Sequence, residues 1–343
     1  MNKSTLPLVC ICIPTYNAEK TLAATLESVL NQTYPNLMVQ VVDNASTDNT
    51  VAVAHNFSDP RLSVHQHPEN IGGEGNFNRC ITLSKGKYTA IYHADDLYEP
   101  TMVEKQVSFL EEHPAARAVF AEASLIDENG TFIGAISQPA ELAAANALHD
   151  FPTVFKAILK HSNFLICPSV MAPTTVYKND IKCWRGDLFG PSGDLDVWLR
   201  MLMGGPAGIL PEALMRYRIS SSQWSAKVRL DTRRADFFTV MDHYLAMADV
   251  RAQLTAADMQ NYARLEQRDK AMRAANAFLQ DQQQTARQLC SEVLSWRCLV
   301  DALKSKRGLL VFSLAGYVYL ALLTGMQKPA KALLMRLKQA TNK

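Results

Sequence analysis

Two adjacent carboxylates, Asp95 and Asp96, directly follow an apolar stretch in the segment HADD (residues 93–96). Neighbouring carboxylates repel each other, and neither gains stability from lying at the end of a buried strand. A cation would remove that repulsion. The segment therefore predicts a binding edge at which a cation neutralises the acids.

Three further polar clusters follow apolar stretches: TYN at 15–17, DNAS at 43–46 and ENIGGEGN at 69–76. The three glycines of ENIGGEGN allow the backbone to approach a ligand closely. Their spacing is not GxGxxG, so a dinucleotide-binding loop is excluded.

The stretches before these clusters have the pattern of short buried strands, and the stretches after them have helical spacing. The predicted strands are LVCICIP (8–14), LMVQVVD (37–43), RLSVHQH (61–67) and YTAIYH (88–93), with helices in AEKTLAATLESVLNQ, NTVAVAHNF, GNFNRCITLS and TMVEKQVSFLEEH. Such alternation predicts an α/β fold, a mostly parallel sheet flanked by helices. Ligands of these sheets bind at the carboxyl ends of the strands, where the polar clusters lie.

Composition excludes several classes of protein. The net charge of +2 suggests no nucleic-acid partner, and 48% hydrophobic residues exclude a disordered chain. The seven cysteines form no CxxC pair or Cys/His cluster, which argues against a zinc site or a disulfide framework and favours a reducing cytoplasm. The N-terminus lacks a long apolar segment, so no signal peptide is predicted.

The C-terminal part differs in composition from the rest. From about residue 226 to 304 the pattern is helical, and GLLVFSLAGYVYLALLTG (308–325) carries no charge. After Asp301 there are eight basic residues and no acidic one: Lys304, Lys306, Arg307, Lys328, Lys331, Arg336, Lys338 and Lys343. Basic residues at both ends of the apolar segment favour an interfacial or re-entrant membrane segment over a single span. A buried helix is the alternative.

Taken together, CIPTYN, VVDNASTDNT, ENIGGEGNFNRC, HADDLYEP and GDLDVWLRM resemble the family 2 glycosyltransferases of the GT-A fold, over roughly residues 7–222. The resemblance implies a Rossmann-like GT-A catalytic domain at 1–225. The helical pattern and the charge distribution predict a helical extension at 226–303 and a basic, membrane-associating tail at 304–343. The resemblance also implies a set of donor-binding residues: Pro14, Thr15, Tyr16, Asn17, Asp43, Asn44, Asn70, Gly73, Asn76, His93, Ala94, Asp95 and Arg218.

Two positions depart from the family pattern. Asn44 stands where the family usually has an acid that contacts the base, which leaves the base open. His93 occupies the first position of the DxD motif, with Ala94 between it and Asp95. The resemblance makes Asp95 the ligand of Mn²⁺ or Mg²⁺, while His93 binds ribose or phosphate or adds a ligand. Asp96 is expected to support this site or to cap the next helix.

Asp194, in GDLDVWLRM, matches the family's catalytic base, which takes the proton of the acceptor hydroxyl in an inverting transfer. Asp196 would point away from it on a helix, and Arg200 is expected to be structural. Residues 215–225 match a mobile loop, in which Arg218 is expected to contact the diphosphate and Trp224 the acceptor.

The sequence thus predicts transfer of one sugar, from a UDP-sugar, to a lipid-linked or oligosaccharide acceptor in surface polysaccharide assembly. The expected location is the cytoplasmic face of the inner membrane. A QxxRW motif is absent, which argues against a processive synthase. Two alternatives are a nucleotidyltransferase and a non-catalytic sugar-nucleotide-binding or membrane scaffold protein.

Overall fold

The computed structural model describes residues 6–143, 147–220 and 231–341. The chain forms two compact units. The first comprises Met1–Ala157 and Asn163–Ser220, and the second comprises Ile158–Ser162 and Ser221–Lys343. The predicted boundary at 225/226 lies outside the described residues.

A ten-stranded mixed sheet is the centre of the first unit. Its strands are β1 (Val9–Thr15), β2 (Leu37–Asp43), β3 (Leu62–Gln66), β4 (Tyr88–Ile91), β5 (Leu97–Tyr98), β6 (Ala118–Ile126), β7 (Phe132–Ile136), β8 (Leu148–His149), β9 (Met171–Pro173) and β10 (Ala207–Arg218). The order is β3-β2-β1-β4-β9-β6-β10-β5, with β7 paired to β6 and β8 to β10. Because β3, β2, β1 and β4 run in parallel, their carboxyl ends meet at one edge.

Helices connect these strands. They are α1 (Leu22–Leu30), α2 (Thr50–His55), α3 (Gly72–Leu83), α4 (Met102–Glu112), α5 (Phe151–His161), α6 (Gly186–Phe189) and α7 (Gly193–Met203). The apolar stripe of α1, formed by Leu22, Leu26 and Val29, is buried in the same core as the side chains of β1 and β2. Burial of such a stripe is what fixes a short helix on a sheet. The predicted α/β architecture is confirmed.

The segment 164–177 contains the short strand β9 between short helical turns. The structure corrects the prediction for one later segment. Residues 215–218, expected in a mobile loop, belong to β10, where Leu214 and Met215 are buried and the strand pairs with β6. Apolar side chains at these positions favour the sheet over a loop. Trp224 lies outside the described residues.

The second unit is helical in the part of the chain that is described. Its helices are α8 (Asp236–Leu245), α9 (Ala248–Ala252), α10 (Ala256–Leu279), α11 (Gln283–Val293), α12 (Trp296–Ala302), α13 (Lys306–Thr324) and α14 (Gln327–Thr341). A capping box starts α10, since Thr255 Oγ1 accepts from the N–H of Asp258 and the Asp258 carboxylate accepts from the N–H of Thr255.

The uncharged C-terminal stretch is α13, which has two different faces. Ala315, Val318, Ala321 and Leu322 are buried in a core with α10 and α11. On the rest of its surface Leu310 and Leu320 are 71% and 61% exposed. Among the described residues α13 is the one helix whose length and composition would allow it to cross a membrane, and 22% of its most apolar window is buried in the protein.

Candidate functional site

The ends of β1 and β2 bring the first two polar clusters together. Thr15 and Asp43 are partners across the two strands, and Thr15 Oγ1 donates a 3.2 Å hydrogen bond to Asp43 Oδ1. The Asp43 carboxylate also accepts from the N–H (3.0 Å) and the hydroxyl (2.5 Å) of Ser46. The neighbouring Tyr16 is 49% exposed. Asp43 therefore fixes the loop, and Tyr16 offers an accessible ring beside it.

Asn17 and Ser46 hold the two loops to each other. Asn17 adopts a left-handed backbone with φ of 51°, and its Oδ1 accepts a 2.8 Å hydrogen bond from the N–H of Thr47. The N–H of Asn17 donates to Ser46 Oγ at 2.9 Å. Pro14 lies within β1 and pairs with Val42. Ser46 therefore joins the two loops and does not cap α2, which begins only at Thr50.

Both ends of the Asn44 side-chain amide form hydrogen bonds with the glycine-containing loop. Its Nδ2 donates to Asn70 Oδ1 (2.8 Å) and to the carbonyl of Gly72 (3.1 Å), while its Oδ1 accepts from the N–H of Ile71 (3.0 Å). Gly72 has φ of +76°, a conformation that favours glycine, and a Cβ added at Gly72 or Gly73 would meet nothing within 4 Å. The open side of this loop is thus free for a ligand, with Asn44 behind it.

Asn76 is buried and makes its described contacts with protein. Its Nδ2 donates to the carbonyl of Val42 at 2.8 Å, and its Oδ1 accepts from Arg79 Nη1 at 3.0 Å. Arg79 Nη1 also donates to the carbonyl of Asp43 at 2.8 Å. Asn76 and Arg79 therefore pin α3 to the end of β2.

His93, Asp95 and Asp96 form a compact group in which one ligand atom from each lies within 4.8 Å of the others. His93 Nδ1 is 3.7 Å from Asp96 Oδ2. His93 Nε2 and Asp96 Oδ2 are buried, and neither has a hydrogen-bond partner in the described part of the chain. Asp96, expected in a supporting or helix-capping role, thus belongs to the group itself. It cannot cap α4, which Thr101 precedes directly.

The electrostatics of this group favour a cation. Burial and the nearby charge of Asp95 raise the pKa of Asp96 well above its usual range. Burial lowers the pKa of His93, which favours the neutral imidazole that binds metals. Two carboxylates and an imidazole, with orphaned ligand atoms, are a donor set that fits a divalent metal ion.

Tyr98 and Arg218 hold the group in place. The N–H of His93 donates to the Tyr98 hydroxyl at 2.7 Å, and the Tyr98 ring stacks on Tyr92 at 3.8 Å between centroids. The N–H of Arg218 donates to Asp96 Oδ1, and its Nε donates to the carbonyl of Asp95, both at 2.8 Å. Arg218 Nη1 donates to two further carbonyls, of Asp127 at 3.1 Å and Glu128 at 3.0 Å. These hydrogen bonds of Arg218 hold Asp95 and Asp96 in position.

Asp194 lies in the first turn of α7 and is half-buried. Its Oδ1 accepts a 2.7 Å hydrogen bond from the N–H of Leu195. That bond alone would lower the pKa of Asp194, but burial has the larger effect and raises the pKa to about 6. Asp194 is therefore a carboxylate whose proton affinity suits a base near neutral pH.

Tyr217, which sequence reasoning missed, is under the electrostatic influence of Asp194 and of the acid pair. Its pKa is raised by burial and then by the charges of Asp96, Asp95 and Asp194, so all three carboxylates act on one phenol. It lies on β10 next to Arg218. A strand pattern places Met215 and Tyr217 on the same face, which would have indicated a partly buried Tyr217. The interpretation of this segment as a loop did not use that pattern.

The second acid of α7 has a different environment. Asp196 is fully buried and forms salt bridges with Arg185 and Arg200. Arg200 also donates to the carbonyls of Ile181 (2.7 Å) and Cys183 (2.8 Å). The predicted structural role of Arg200 is confirmed.

Two aromatic side chains beside His93 were also missed. Phe77 meets the His93 ring edge-on at 5.9 Å and packs against Trp184 at 5.0 Å, centroid to centroid. Phe77 comes from α3, and Trp184 precedes α6. Single aromatic residues in unrelated segments give no signal in sequence, because only the fold brings them together.

Comparison with known proteins finds relatives in sequence and in fold. Residues 10–172 match the sequence model of Glycosyl transferase family 2. The UDP-Glc:alpha-D-GlcNAc-diphosphoundecaprenol beta-1,3-glucosyltransferase WfaP of Escherichia coli is 29% identical over 175 residues, 51% of this chain and 64% of that protein.

Two solved structures share the fold. S. aureus TarS 1-349 in complex with UDP-GlcNAc is similar with a TM-score of 0.59 at 16% identity, over 93% of this chain and 92% of that chain. Mannosyltransferase PcManGT from Pyrobaculum calidifontis, in complex with GDP-Man and Mn²⁺, gives a TM-score of 0.55 at 17% identity, over 97% and 88% of the two chains. The first unit therefore matches family 2 of the glycosyltransferases over residues 10–172, and its sheet and helices have the GT-A fold.

Proposed function

We propose that the first unit transfers one sugar from a nucleotide-sugar to an acceptor hydroxyl with inversion. The observation that carries this proposal is the compact group of His93, Asp95 and Asp96 at the ends of the parallel strands, with buried ligand atoms that have no hydrogen-bond partner among the described residues. Asp194 adds a carboxylate with a raised pKa. An inverting transfer needs such a pair of functions, a base for the acceptor and a cation site for the leaving diphosphate.

The donor is proposed to be a UDP-sugar bound at the ends of β1 and β2. Tyr16 would cover one face of the base, and the open glycine loop at Gly72 and Gly73 would admit the ribose or phosphates. TarS with bound UDP-GlcNAc supports uridine, whereas PcManGT binds GDP-Man within the same fold. Since Asn44 is engaged with Asn70 and Ile71, the base is expected to be read by the backbone and Tyr16.

A divalent ion, Mn²⁺ or Mg²⁺, would be held by His93, Asp95 and Asp96. When bound, such an ion stabilises the negative charge of the departing nucleoside diphosphate. Arg218 fixes the positions of both acids for this purpose, since its N–H donates to the Asp96 carboxylate and its Nε donates to the backbone carbonyl of Asp95. Tyr98 fixes that of His93.

Asp194 would accept the proton of the attacking hydroxyl at its carboxylate. Burial keeps its pKa at about 6, so the carboxylate is ionised at neutral pH yet basic enough to take a proton in the transition state. Tyr217 would orient the reacting groups between the base and the acids.

The acceptor is proposed to be a lipid-linked saccharide of surface polysaccharide assembly, used at the cytoplasmic face of the inner membrane. WfaP, which acts on a diphosphoundecaprenol-linked sugar, supports this acceptor class. The exposed leucines of α13 and the basic residues around it support a helix that lies on a membrane surface. Its buried face in the helical core argues against a free span.

The test is a panel of nucleotide-sugars offered to the purified protein, with and without Mn²⁺. Release of UDP from one donor, dependent on the ion and abolished in Asp194→Asn, is the expected result. Release of pyrophosphate would indicate a nucleotidyltransferase instead. Donor binding with no turnover on lipid-linked acceptors would indicate a binding protein.

A further inference from the structure

A cavity of about 260 Å³ lies in the second unit, remote in sequence from every donor-site motif. Its walls come from α10, from the segment 298–312 and from Lys160 and His161. Four basic side chains line it: Lys160, Arg264, Arg268 and Arg307. Asp301 is the one carboxylate among its described lining residues.

Asp301 is already neutralised by Arg264. Arg264 Nε donates to Asp301 Oδ2 at 2.7 Å, and Nη2 donates to Oδ1 at 2.8 Å, a bidentate pair. The other cations of the lining therefore receive little compensation from this acid.

Arg268 on α10 and Arg307 on α13 both line the cavity. Neither forms a salt bridge with an acid in the described ranges. Partial burial and the charge of Arg307 lower the pKa of Arg268. Guanidinium groups stay protonated in proteins, so the lowered pKa reports an electropositive site that an anion would stabilise.

The chemistry of two guanidinium groups that line one cavity fits a phosphate. Each can donate two parallel hydrogen bonds to phosphate oxygens, and a terminal phosphate carries close to two negative charges at neutral pH. The start of α13 adds to the positive field at the cavity, because unpaired backbone N–H groups are concentrated there.

The position of the cavity on α13 suggests what carries the phosphate. Leu309 and Leu310 follow Arg307 and Gly308 in the chain and are 40% and 71% exposed. Leu320 and Leu323 extend the exposed apolar surface along the same helix. A charged pocket that opens beside an apolar helix surface matches an amphiphile with an anionic head and a hydrocarbon chain.

We propose that this cavity binds the terminal phosphate of a membrane lipid through Arg268 and Arg307, while the hydrocarbon chain lies along the exposed leucines of α13. The proposal concerns the second unit and does not depend on the sugar transfer proposed for the first. It adds a specific headgroup site to a membrane contact that would otherwise rest on general charge attraction.

The test compares vesicles of phosphatidylcholine containing phosphatidic acid, which ends in a phosphate, with vesicles of equal surface charge made with phosphatidylglycerol. The full-length chain, the double variant Arg268→Gln/Arg307→Gln and the control Arg297→Gln are floated with both. Arg297 is an exposed arginine on α12 that does not line the cavity. Melting curves and UDP binding verify that all variants are folded.

The expected result is a preference for phosphatidic acid that falls about tenfold in the double variant and by less than about twofold in Arg297→Gln. Equal binding to both vesicle types, or equal losses in the control, would assign the binding to general charge and overturn the proposal. Calorimetry also measures the binding of two soluble compounds, inorganic phosphate and pyrophosphate, to the full-length protein. If pyrophosphate alone bound as tightly as the vesicles, the source would be a soluble phosphate and the lipid assignment would fail.

Discussion

His93 Nδ1 lies 3.7 Å from Asp96 Oδ2, and this carboxylate oxygen, like His93 Nε2, is buried without a hydrogen-bond partner among the described residues. Buried polar atoms nearly always have a hydrogen-bond partner. Two such atoms without one, close together after the end of a strand, indicate a site for a bound ion or ligand. The arrangement places Asp96, and not Asp95 alone, in the proposed cation site.

Asp95→Asn and Asp96→Asn should therefore each weaken Mn²⁺-dependent UDP binding by about tenfold or more, because a charged ligand becomes neutral. Calorimetry with and without Mn²⁺ measures the effect. Glu112→Gln, an exposed acid at the end of α4, is the matched control and should bind as the native protein does. If the Mn²⁺-dependent affinity for UDP were unchanged in Asp96→Asn, Asp96 would not be a metal ligand and would only support the site.

Asp194→Asn keeps the shape of the side chain but removes the proton acceptor. Turnover should fall by about a hundredfold or more, with UDP affinity unchanged. Asp187→Asn removes an exposed acid of the neighbouring α6 and should leave turnover near normal. Single-turnover kinetics with saturating donor separate the two steps, and a loss of donor binding in Asp194→Asn would contradict the assignment as a base.

The pH dependence of turnover follows from the same residue. The pKa of Asp194 is raised to about 6, and a base works only in its deprotonated form. Turnover at saturating substrate should therefore be constant near neutral pH and fall as the pH drops through about 6, tenfold per pH unit below it. A pH–rate profile tests this expectation, and a profile flat down to pH 5 would exclude Asp194 as the titrating group.

Arg218→Lys should raise the donor concentration needed for half-maximal rate by about three- to tenfold, because an ammonium group cannot hold the carbonyls of Asp95, Asp127 and Glu128 together. Arg216→Lys, on the same strand and paired with Glu99 at the surface, is the control. The two variants are compared by steady-state kinetics at fixed Mn²⁺. Equal effects would mean that the strand, and not the guanidinium contacts, sets donor affinity.

Leu310→Gln/Leu320→Gln should reduce flotation with anionic vesicles by about tenfold while leaving the melting temperature unchanged, since both leucines are exposed. Leu188→Gln, an equally exposed leucine of the first unit, should float normally. Val318→Gln, by contrast, places an amide in the helical core and should lower the melting temperature. Removal of residues 304–343 should do the same, because α13 and α14 complete that core.

The sequence by itself determined the order of the elements and the place of the chemistry. β1, β2, β3 and β4 and their helices follow from side-chain periods of two and 3.6, which depend on near neighbours in the chain. The polar clusters after these strands had to meet at one edge once the strands were parallel. Asp95 and Asp194 could be identified as candidate site residues from the spacing of sequence motifs, because those motifs also involve only near neighbours in the chain.

Only the tertiary structure decided which neighbours those residues have. The burial that leaves Asp96 Oδ2 without a partner, the contacts of Arg218 with Asp95, and the position of Tyr217 among three carboxylates join segments far apart in the chain. In the same way Arg268 and Arg307 lie on different helices that a shared apolar core brings together. Local patterns cannot encode such contacts, because pKa values and orphaned polar atoms depend on which groups packing excludes from water.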